Sequence, residues 1–84
     1  MTQITENERK DIMRQATRAG VTQESVGEWM NLAVRYGRLG NLVEAATCAR
    51  KAIAIHEVWG SRLASYAMAE GTLERARDIV AKGA

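Results

Sequence analysis

The side chains most often used as metal ligands and nucleophiles are scarce in this sequence, which contains one histidine and one cysteine. His56-Glu57 has the order that opens a zinc-protease helix, but no second histidine follows four positions after the first, so the two-histidine metal site is excluded. Cys48 stands in a run of alanines, where a small buried side chain is a better interpretation than a nucleophile. We therefore predict no catalytic residue, no metal and no cofactor, and we expect a protein that is not an enzyme.

Basic residues offer a second kind of chemistry, the binding of acidic surfaces. Lys10, Arg14 and Arg18 recur every four residues, which places them along one edge of a helix. This basic edge is either a solvated face or a docking strip for an acidic surface. The chain has 12 basic and 10 acidic residues, which gives a net charge of +2. This excess of basic residues is smaller than that of nucleic-acid-binding proteins, which typically carry a basic stripe.

Residues 12–29 have the spacing of a DNA-binding helix-turn-helix: Ala16, a glycine four positions later and an apolar residue six positions beyond the glycine. The segment that would enter the major groove, 22–28, contains two carboxylates and no Lys or Arg, so it would repel phosphates. Its Gln23 and Ser25 could still read base edges. A DNA-binding regulator is therefore an alternative function, and nucleic acid is a less favoured partner than protein.

Helical periodicity predicts the elements that position these groups. Apolar residues recur every three or four positions along most of the chain, and the alternation typical of strands is absent. The fold class predicted is all-α in a single domain, 1–84, with residues 1–5 flexible. We expect five helices, at 6–19, 22–39, 41–55, 59–70 and 72–83.

Turn residues set the predicted boundaries. Gly40 can adopt the left-handed conformation that ends a helix, and Asn41 is a good N-cap, so 22–39 and 41–55 form an antiparallel hairpin. Thr22 is expected to cap the first helix of this hairpin, and Gly71 is expected to separate the last two helices. Gly27 would destabilise its helix by about 1 kcal/mol relative to Ala, and we expect it to leave room for a neighbouring helix.

The first hairpin joins a helix with bulky residues, from Trp29 to Tyr36, to a helix with an alanine-lined flank, from Ala45 to Ala52. Small residues allow a neighbouring helix to come close, so we expect the bulky side chains to pack against this flank. The pattern resembles the tetratricopeptide repeat on eight residues at that family's spacings: Trp29, Leu32, Ala33, Tyr36, Gly40, Leu42, Ala45 and Ala52.

A second, degenerate copy of the repeat aligns when Gly71 is placed on Gly40, because Leu63 then falls on Leu32. The resemblance implies about two repeats in a five-helix antiparallel hairpin stack, wound as a right-handed superhelix. Members of this family hold a peptide or a helix of another protein in a concave groove. A short stack leaves a terminal apolar face, so a structural homo-oligomeric subunit is a further alternative.

Carried over residue by residue, the resemblance implies a partner-binding groove lined by Asn31, Arg35 and Arg38 on the second helix and by Arg62 and Tyr66 on the fourth. Asparagine can bond the backbone of a ligand, and arginine can bind carboxylates with paired hydrogen bonds. The expected function is a protein-interaction module, such as an adaptor, a small chaperone or an occluding inhibitor. The expected partner is a peptide or helix of another protein, and the arginines allow that partner to be acidic.

The sequence also bears on the cellular compartment in which we expect the protein. A single cysteine fits a reducing compartment. The polar start is unlike a signal peptide, and no apolar run approaches the ~18 residues of a membrane span. We expect a cytoplasmic protein with no membrane partner.

Overall fold

The computed structural model describes residues 4–84, which form four α-helices and no β-strand. The helices are α1 (Glu6–Arg18), α2 (Ser25–Arg38), α3 (Leu42–Ile55) and α4 (Glu70–Gly83). The all-α prediction is confirmed, with four helices in this part of the chain where five were predicted. Of the residues expected to be flexible, 1–3 lie outside the described residues. Thr5 is the N-cap of α1, because its Oγ1 accepts the Glu8 N–H at 3.2 Å.

The turn of the α2–α3 hairpin has the predicted structure. Gly40 has a φ of 79°, which is the left-handed conformation expected after a helix. Asn41 caps α3 by accepting the Glu44 N–H on its side-chain oxygen at 3.3 Å. Because residues 39–41 are the whole connection, α2 and α3 are antiparallel neighbours.

The connection between α1 and α2 is longer than predicted. Residues 19–24 separate the two helices, and α2 begins at Ser25. Thr22 is not the cap of α2, because the N-cap position is occupied by Glu24, whose side chain makes no capping hydrogen bond. The Thr22 N–H donates to Ser25 Oγ at 2.8 Å. Gly27 does not make room for a neighbour, since a Cβ at that position would have nothing within 4 Å.

The central helix is α3, and both α2 and α4 pack on it. We call α2, α3 and α4 the helical layer. Small side chains let the neighbours approach α3 closely. At the end of α4, a Cβ on Gly83 would overlap the Leu42 carbonyl oxygen and lie 2.5 Å from the Ala46 Cβ. The alanine flank is buried, as predicted, because α3 buries Ala45, Ala46, Cys48, Ala49, Ala52 and Ile55.

The predicted helix at 59–70 is wrong. Instead, α3 continues into a π-helical turn, His56–Gly60, which is followed by a 3-10 turn, Ala64–Tyr66, and by non-helical residues 67–69. We call residues 56–69 the connector.

Two contacts hold the connector in this path. His56 Nδ1 accepts the Met68 N–H at 2.9 Å, whereas in a helix that amide would bond to the carbonyl four residues before it. Gly60 lies against Ala67, whose Cα and Cβ would both be 3.0 Å from a Cβ on Gly60. The connector therefore folds back on its own first turn and does not continue as a helix.

Because the connector ends at residue 69, the last helix begins earlier than predicted. Gly71, the predicted break, lies in the first turn of α4, which begins at Glu70. The predicted second hairpin consequently has no first helix. The right-handed superhelix of the tetratricopeptide repeat is not confirmed.

Candidate protein-binding groove

A groove lies between α2 and α4 and has α3 as its base. Its floor is apolar and includes Ala33 and Val34 of α2, Ala45 of α3 and Ile79 of α4. This depression has a volume of about 490 Å³. Depressions of this size can hold the side chains of a docked segment or a small ligand.

The groove extends toward the start of α4. A second depression of about 510 Å³ adjoins the first, and its lining includes Met30, Asn31, Val34, Gly71, Thr72 and Arg75. Val34 and Arg75 line both depressions, so we treat them as one surface, the α2–α4 groove. Along α2 this groove runs from Met30 to Arg38, a length of about 12 Å at a rise of 1.5 Å per residue.

The rim of the α2–α4 groove is mainly basic. Arg38 borders it on α2, while Arg75, Asp78 and Lys82 border it on α4. Lys82 Nζ lies 3.0 Å from a carboxylate oxygen of Asp78, so these two charges offset each other. Arg38 and Arg75 have no ion-pair partner among residues 4–84. Their guanidinium groups therefore remain able to bind carboxylates from outside the chain.

The structure brings two of the five predicted groove residues to this surface. Asn31 and Arg38 both line the α2–α4 groove. Arg35 does not line it. A separate depression of about 200 Å³ on α2 is formed by Leu32, Arg35, Tyr36 and Leu39.

The other two predicted groove residues, Arg62 and Tyr66, lie in the connector. Tyr66 is only 1% exposed, and its ring centroid is 6.3 Å from that of Trp59. The 3-10 turn directs this ring into the core, so Tyr66 cannot line a surface groove, which corrects the prediction. Arg62 lies 5.0 Å from the Trp59 ring centroid and donates to Gln15 Oε1 at 2.9 Å. This arginine ties the connector to α1.

Most of the groove lining, including Val34, Arg75 and Lys82, was missed by sequence reasoning. The available signal was spacing: Arg75, Ile79 and Lys82 are four and three residues apart, so they share one side of α4. The path of the connector determines which side of α4 turns toward α2. The helix predicted at 59–70 implied a different path.

The apolar residues of α2 are divided between core and solvent, which corrects the prediction that its bulky side chains all pack against the alanine flank. Ala33 is fully buried, whereas Leu32 is 37% exposed and Leu39 is 81% exposed. In the first turn of α3, Val43 is 67% exposed. We call Leu32, Tyr36, Leu39 and Val43 the outer stripe. None of these four residues lines the α2–α4 groove.

The basic edge of α1 is exposed to solvent. Lys10, Arg14 and Arg18 are all exposed. With Met13 and Thr17 they border a shallow depression of about 430 Å³. The basic edge is thus a separate surface from the α2–α4 groove.

The segment that would serve as a DNA-recognition helix uses its polar side chains inside the chain. Ser25 is buried, and its Oγ accepts the Thr22 N–H. Gln23 Nε2 donates to the Met13 sulfur at 3.3 Å. Residues 19–24 also form a longer connection than the three or four residues of a helix-turn-helix.

The single cysteine and the single histidine both contribute to packing. Burial raises the pKa of the Cys48 thiol, the Glu44 carboxylate raises it further, and Lys51 opposes the shift. A thiol with a raised pKa is a poor nucleophile near neutral pH. The His56 ring is used by the connector as a hydrogen-bond acceptor. Among residues 4–84, no group of three or more His, Cys, Asp and Glu side chains is arranged to hold a metal.

Comparison of the chain with known proteins found no matching family model, no similar curated protein and no similar solved structure. In the part of the chain that the structure describes, no helix combines the length and the hydropathy needed to cross a membrane.

Proposed function

We propose that this protein is a non-enzymatic protein-interaction module whose α2–α4 groove holds an acidic amphipathic helix or peptide segment of a partner protein. One observation carries the proposal: an apolar floor is bordered by Arg38 and Arg75, two arginines that no acidic side chain among residues 4–84 pairs with. The same class of function is implied by the resemblance of the α2–α3 hairpin to tetratricopeptide repeats.

The chemistry of the groove defines the segment that fits it. The apolar face of the segment would cover Val34 and Ile79, as amphipathic helices do in apolar grooves. Its carboxylates would meet the guanidinium groups of Arg38 and Arg75. Asn31 would bond a backbone group of the segment, because its amide both donates and accepts.

The length of the groove limits the affinity. A run of about 12 Å along α2 accommodates about two turns of a bound helix. Such a contact is at the small end of protein interfaces, so we expect a dissociation constant in the micromolar range.

The proposal is tested with a designed probe, a fluorescein-labelled helical peptide that has a leucine stripe flanked by glutamates. Fluorescence anisotropy should show micromolar binding that weakens as salt is added, because exposed charges are screened. A control peptide with lysines in place of the glutamates should not bind, since it meets like charges. A second control with serines in place of the leucines should not bind, since it cannot cover the apolar floor.

Variants locate the binding. Arg38→Glu combined with Arg75→Glu should raise the dissociation constant of the glutamate probe at least tenfold. Arg35→Glu and Arg50→Glu are matched charge reversals at exposed positions outside the groove, and both should leave binding unchanged. Circular dichroism checks that all the variants keep their helical content. Probe binding that survives the double reversal would refute the proposed groove.

The exposed basic edge of α1 keeps a DNA-binding regulator as the second candidate function. Lys10, Arg14 and Arg18 could contact phosphates, whereas Gln23 and Ser25 are engaged within the chain. Affinity for duplex DNA that falls steeply with added salt, and that is lost on Arg14→Glu, would favour the regulator. An absence of duplex binding at low salt would remove it.

A further inference from the structure

The α2–α4 groove has two unlike ends. One of its depressions is lined by Asn31 and Thr72, and we call this the neutral end. The other is lined by Arg38 and Lys82, and we call this the basic end. Residue numbers increase toward the basic end on both walls, so α2 and α4 run in the same direction. Both helices also finish there, since Arg38 is the last residue of α2 and Lys82 lies in the last turn of α4.

Positive charge is concentrated toward the basic end of the groove. Arg75 lines both depressions, so it lies midway along the groove, and Arg38 lies beyond it at the basic end. The charge of Lys82 is offset by Asp78, 3.0 Å away. Among the described residues, the lining of the neutral end holds no charged side chain apart from Arg75. The carboxylates of a bound segment are therefore attracted to the middle and to one end of the groove.

This distribution of charge favours one direction for a bound helix. Carboxylates in the first turns of a helix stabilise it, whereas carboxylates in its last turns destabilise it. A segment that is stable as a helix and also matched to Arg38 and Arg75 thus has its acidic residues in its first half. Such a segment places its amino end at the basic end of the groove.

The ends of the flanking helices favour the same direction. The carboxyl end of a helix carries a partial negative charge, and the amino end carries a partial positive charge. Because α2 and α4 both finish at the basic end, the amino end of a bound helix is the better neighbour there. Gly71 and Thr72 belong to the first turn of α4 and lie at the neutral end, where the carboxyl end of a bound helix is the better neighbour.

We infer that the partner segment is a helix with its acidic residues in its first half, bound antiparallel to α2 and α4. This inference rests on the proposed function and adds to it the charge pattern and the direction of the partner. A helix with its acidic residues in its second half has no equally good placement. Bound antiparallel it leaves Arg38 without a carboxylate, and bound parallel it places like helix ends side by side.

Two fluorescein-labelled probes of identical composition test the charge pattern. Both have the leucine stripe, blocked ends and a hydrocarbon staple on the solvent side that equalises their helical content. Glutamates occupy the first half of one probe and the second half of the other, with glutamines at the remaining polar positions. Anisotropy with the full chain should give a dissociation constant at least about threefold lower for the first probe. Binding of neither probe would overturn the proposed function and this inference together, whereas equal binding of both would overturn this inference alone.

Moving one positive charge along the groove provides a matched variant. Arg38→Gln combined with Asn31→Arg transfers that charge to the neutral end, and both positions are exposed, so the circular dichroism should not change. The second probe should now bind more tightly than the first, because its carboxylates meet the new arginine while it keeps the antiparallel direction. An unchanged preference for the first probe would show that Arg38 does not select the charge pattern, and the inference would fail.

A nitroxide attached to the first probe reports the direction of binding. At the amino end of the probe, the nitroxide should broaden the amide resonances of Arg38 and Lys82 more than those of Gly71 and Thr72. At the carboxyl end, the order of broadening should be the opposite. Reversal of both patterns would show a segment parallel to α2 and α4, which would overturn the inferred direction while leaving the groove as the binding site.

Discussion

The helical layer and the connector bury their side chains by different means. In the layer, α3 presents alanines, and the neighbouring helices come close enough that Gly83 touches its first turn. In the connector the backbone leaves regular helix, and larger side chains such as Tyr66 and Met68 fill the core. Individual bonds, above all that from the Met68 N–H to His56, hold this path. Regular spacing of small residues specifies which flank of α3 is buried, whereas the connector depends on single side chains.

The largest expected effect is produced by filling the alanine flank of α3. Ala49→Leu adds three carbons at a fully buried position, and overpacking of this kind lowers the free energy of unfolding by about 1–3 kcal/mol. Urea denaturation measures the change. Ala54→Leu is the matched control, because Ala54 is an exposed residue of the same helix and the two residue types have similar helix propensities. Equal losses in both variants would contradict the proposed role of the flank.

The second effect concerns the connector. His56→Ala removes the acceptor of the Met68 N–H and should lower the free energy of unfolding by about 1–2 kcal/mol, since a partly buried donor loses its partner. His56→Asn should recover part of the loss, because its side-chain oxygen can accept the same bond. Hydrogen exchange of the Met68 amide reads the contact directly. An amide that exchanges equally slowly in wild type and in His56→Ala would show that this bond does not hold the connector.

A smaller effect, opposite in sign at the two ends of α4, tests how closely the layer is packed. Gly83→Ala should lower the free energy of unfolding by about 1 kcal/mol, because the new Cβ would overlap the Leu42 carbonyl and force the last turn of α4 outward. Gly71→Ala should raise it by about 0.5–1 kcal/mol, because its Cβ meets nothing within 4 Å and alanine restricts the unfolded chain. Thermal melts of both variants measure the signs, and two stabilising substitutions would mean that α4 does not approach α3 as described.

The smallest effect is a loss of stability at alkaline pH. Burial raises the pKa of the Cys48 thiol in the layer, and burial together with Glu24 raises the pKa of the Tyr66 hydroxyl in the connector. Between the unfolded and native pKa of each group, the native state holds the proton and the unfolded state has lost it. The stabilisation is therefore complete below about pH 8.5 for the thiol and about pH 10 for the hydroxyl, and it is lost as pH rises through each raised native pKa.

Urea titrations at increasing pH separate the two contributions. Cys48→Ala should remove the decline that begins first, and Tyr66→Phe should remove the decline that begins at higher pH. Stability that rises over this interval in the wild-type protein would contradict the direction of both pKa shifts.

The parts of the fold that depend on residues close to one another in the sequence were predictable. Gly40 and Asn41 define their turn within a few residues, and the alanines of α3 are buried because their spacing is helical. The connector was not predictable in the same way. His56 and Met68 meet only after the chain reverses between them, and no periodic pattern marks that contact. Gly27 shows a related limit, because a glycine in a helix does not reveal whether a neighbour is close.

The connector also limited how many groove residues could be predicted from the sequence. Asn31 and Arg38 were assigned to the groove from the resemblance to tetratricopeptide repeats and do line it, whereas Arg35, assigned in the same way on the same helix, does not. Arg75 was missed because the orientation of α4 is set by the connector. Tyr66 was assigned to the groove because the resemblance placed it on a fourth helix, yet a 3-10 turn places its ring in the core.

The distribution of the aromatic rings gives each region its own optical reporter. One of the two tryptophans, Trp29, belongs to the layer and lies under the Lys51 ammonium, 4.3 Å from its ring centroid. The other, Trp59, belongs to the connector and neighbours Tyr66. Replacing either indole with phenylalanine leaves a protein whose emission follows a single region during denaturation. Superimposed fluorescence curves from the two proteins would describe one cooperative unit, and an earlier transition at Trp59 would describe a hinge that opens while the layer remains folded.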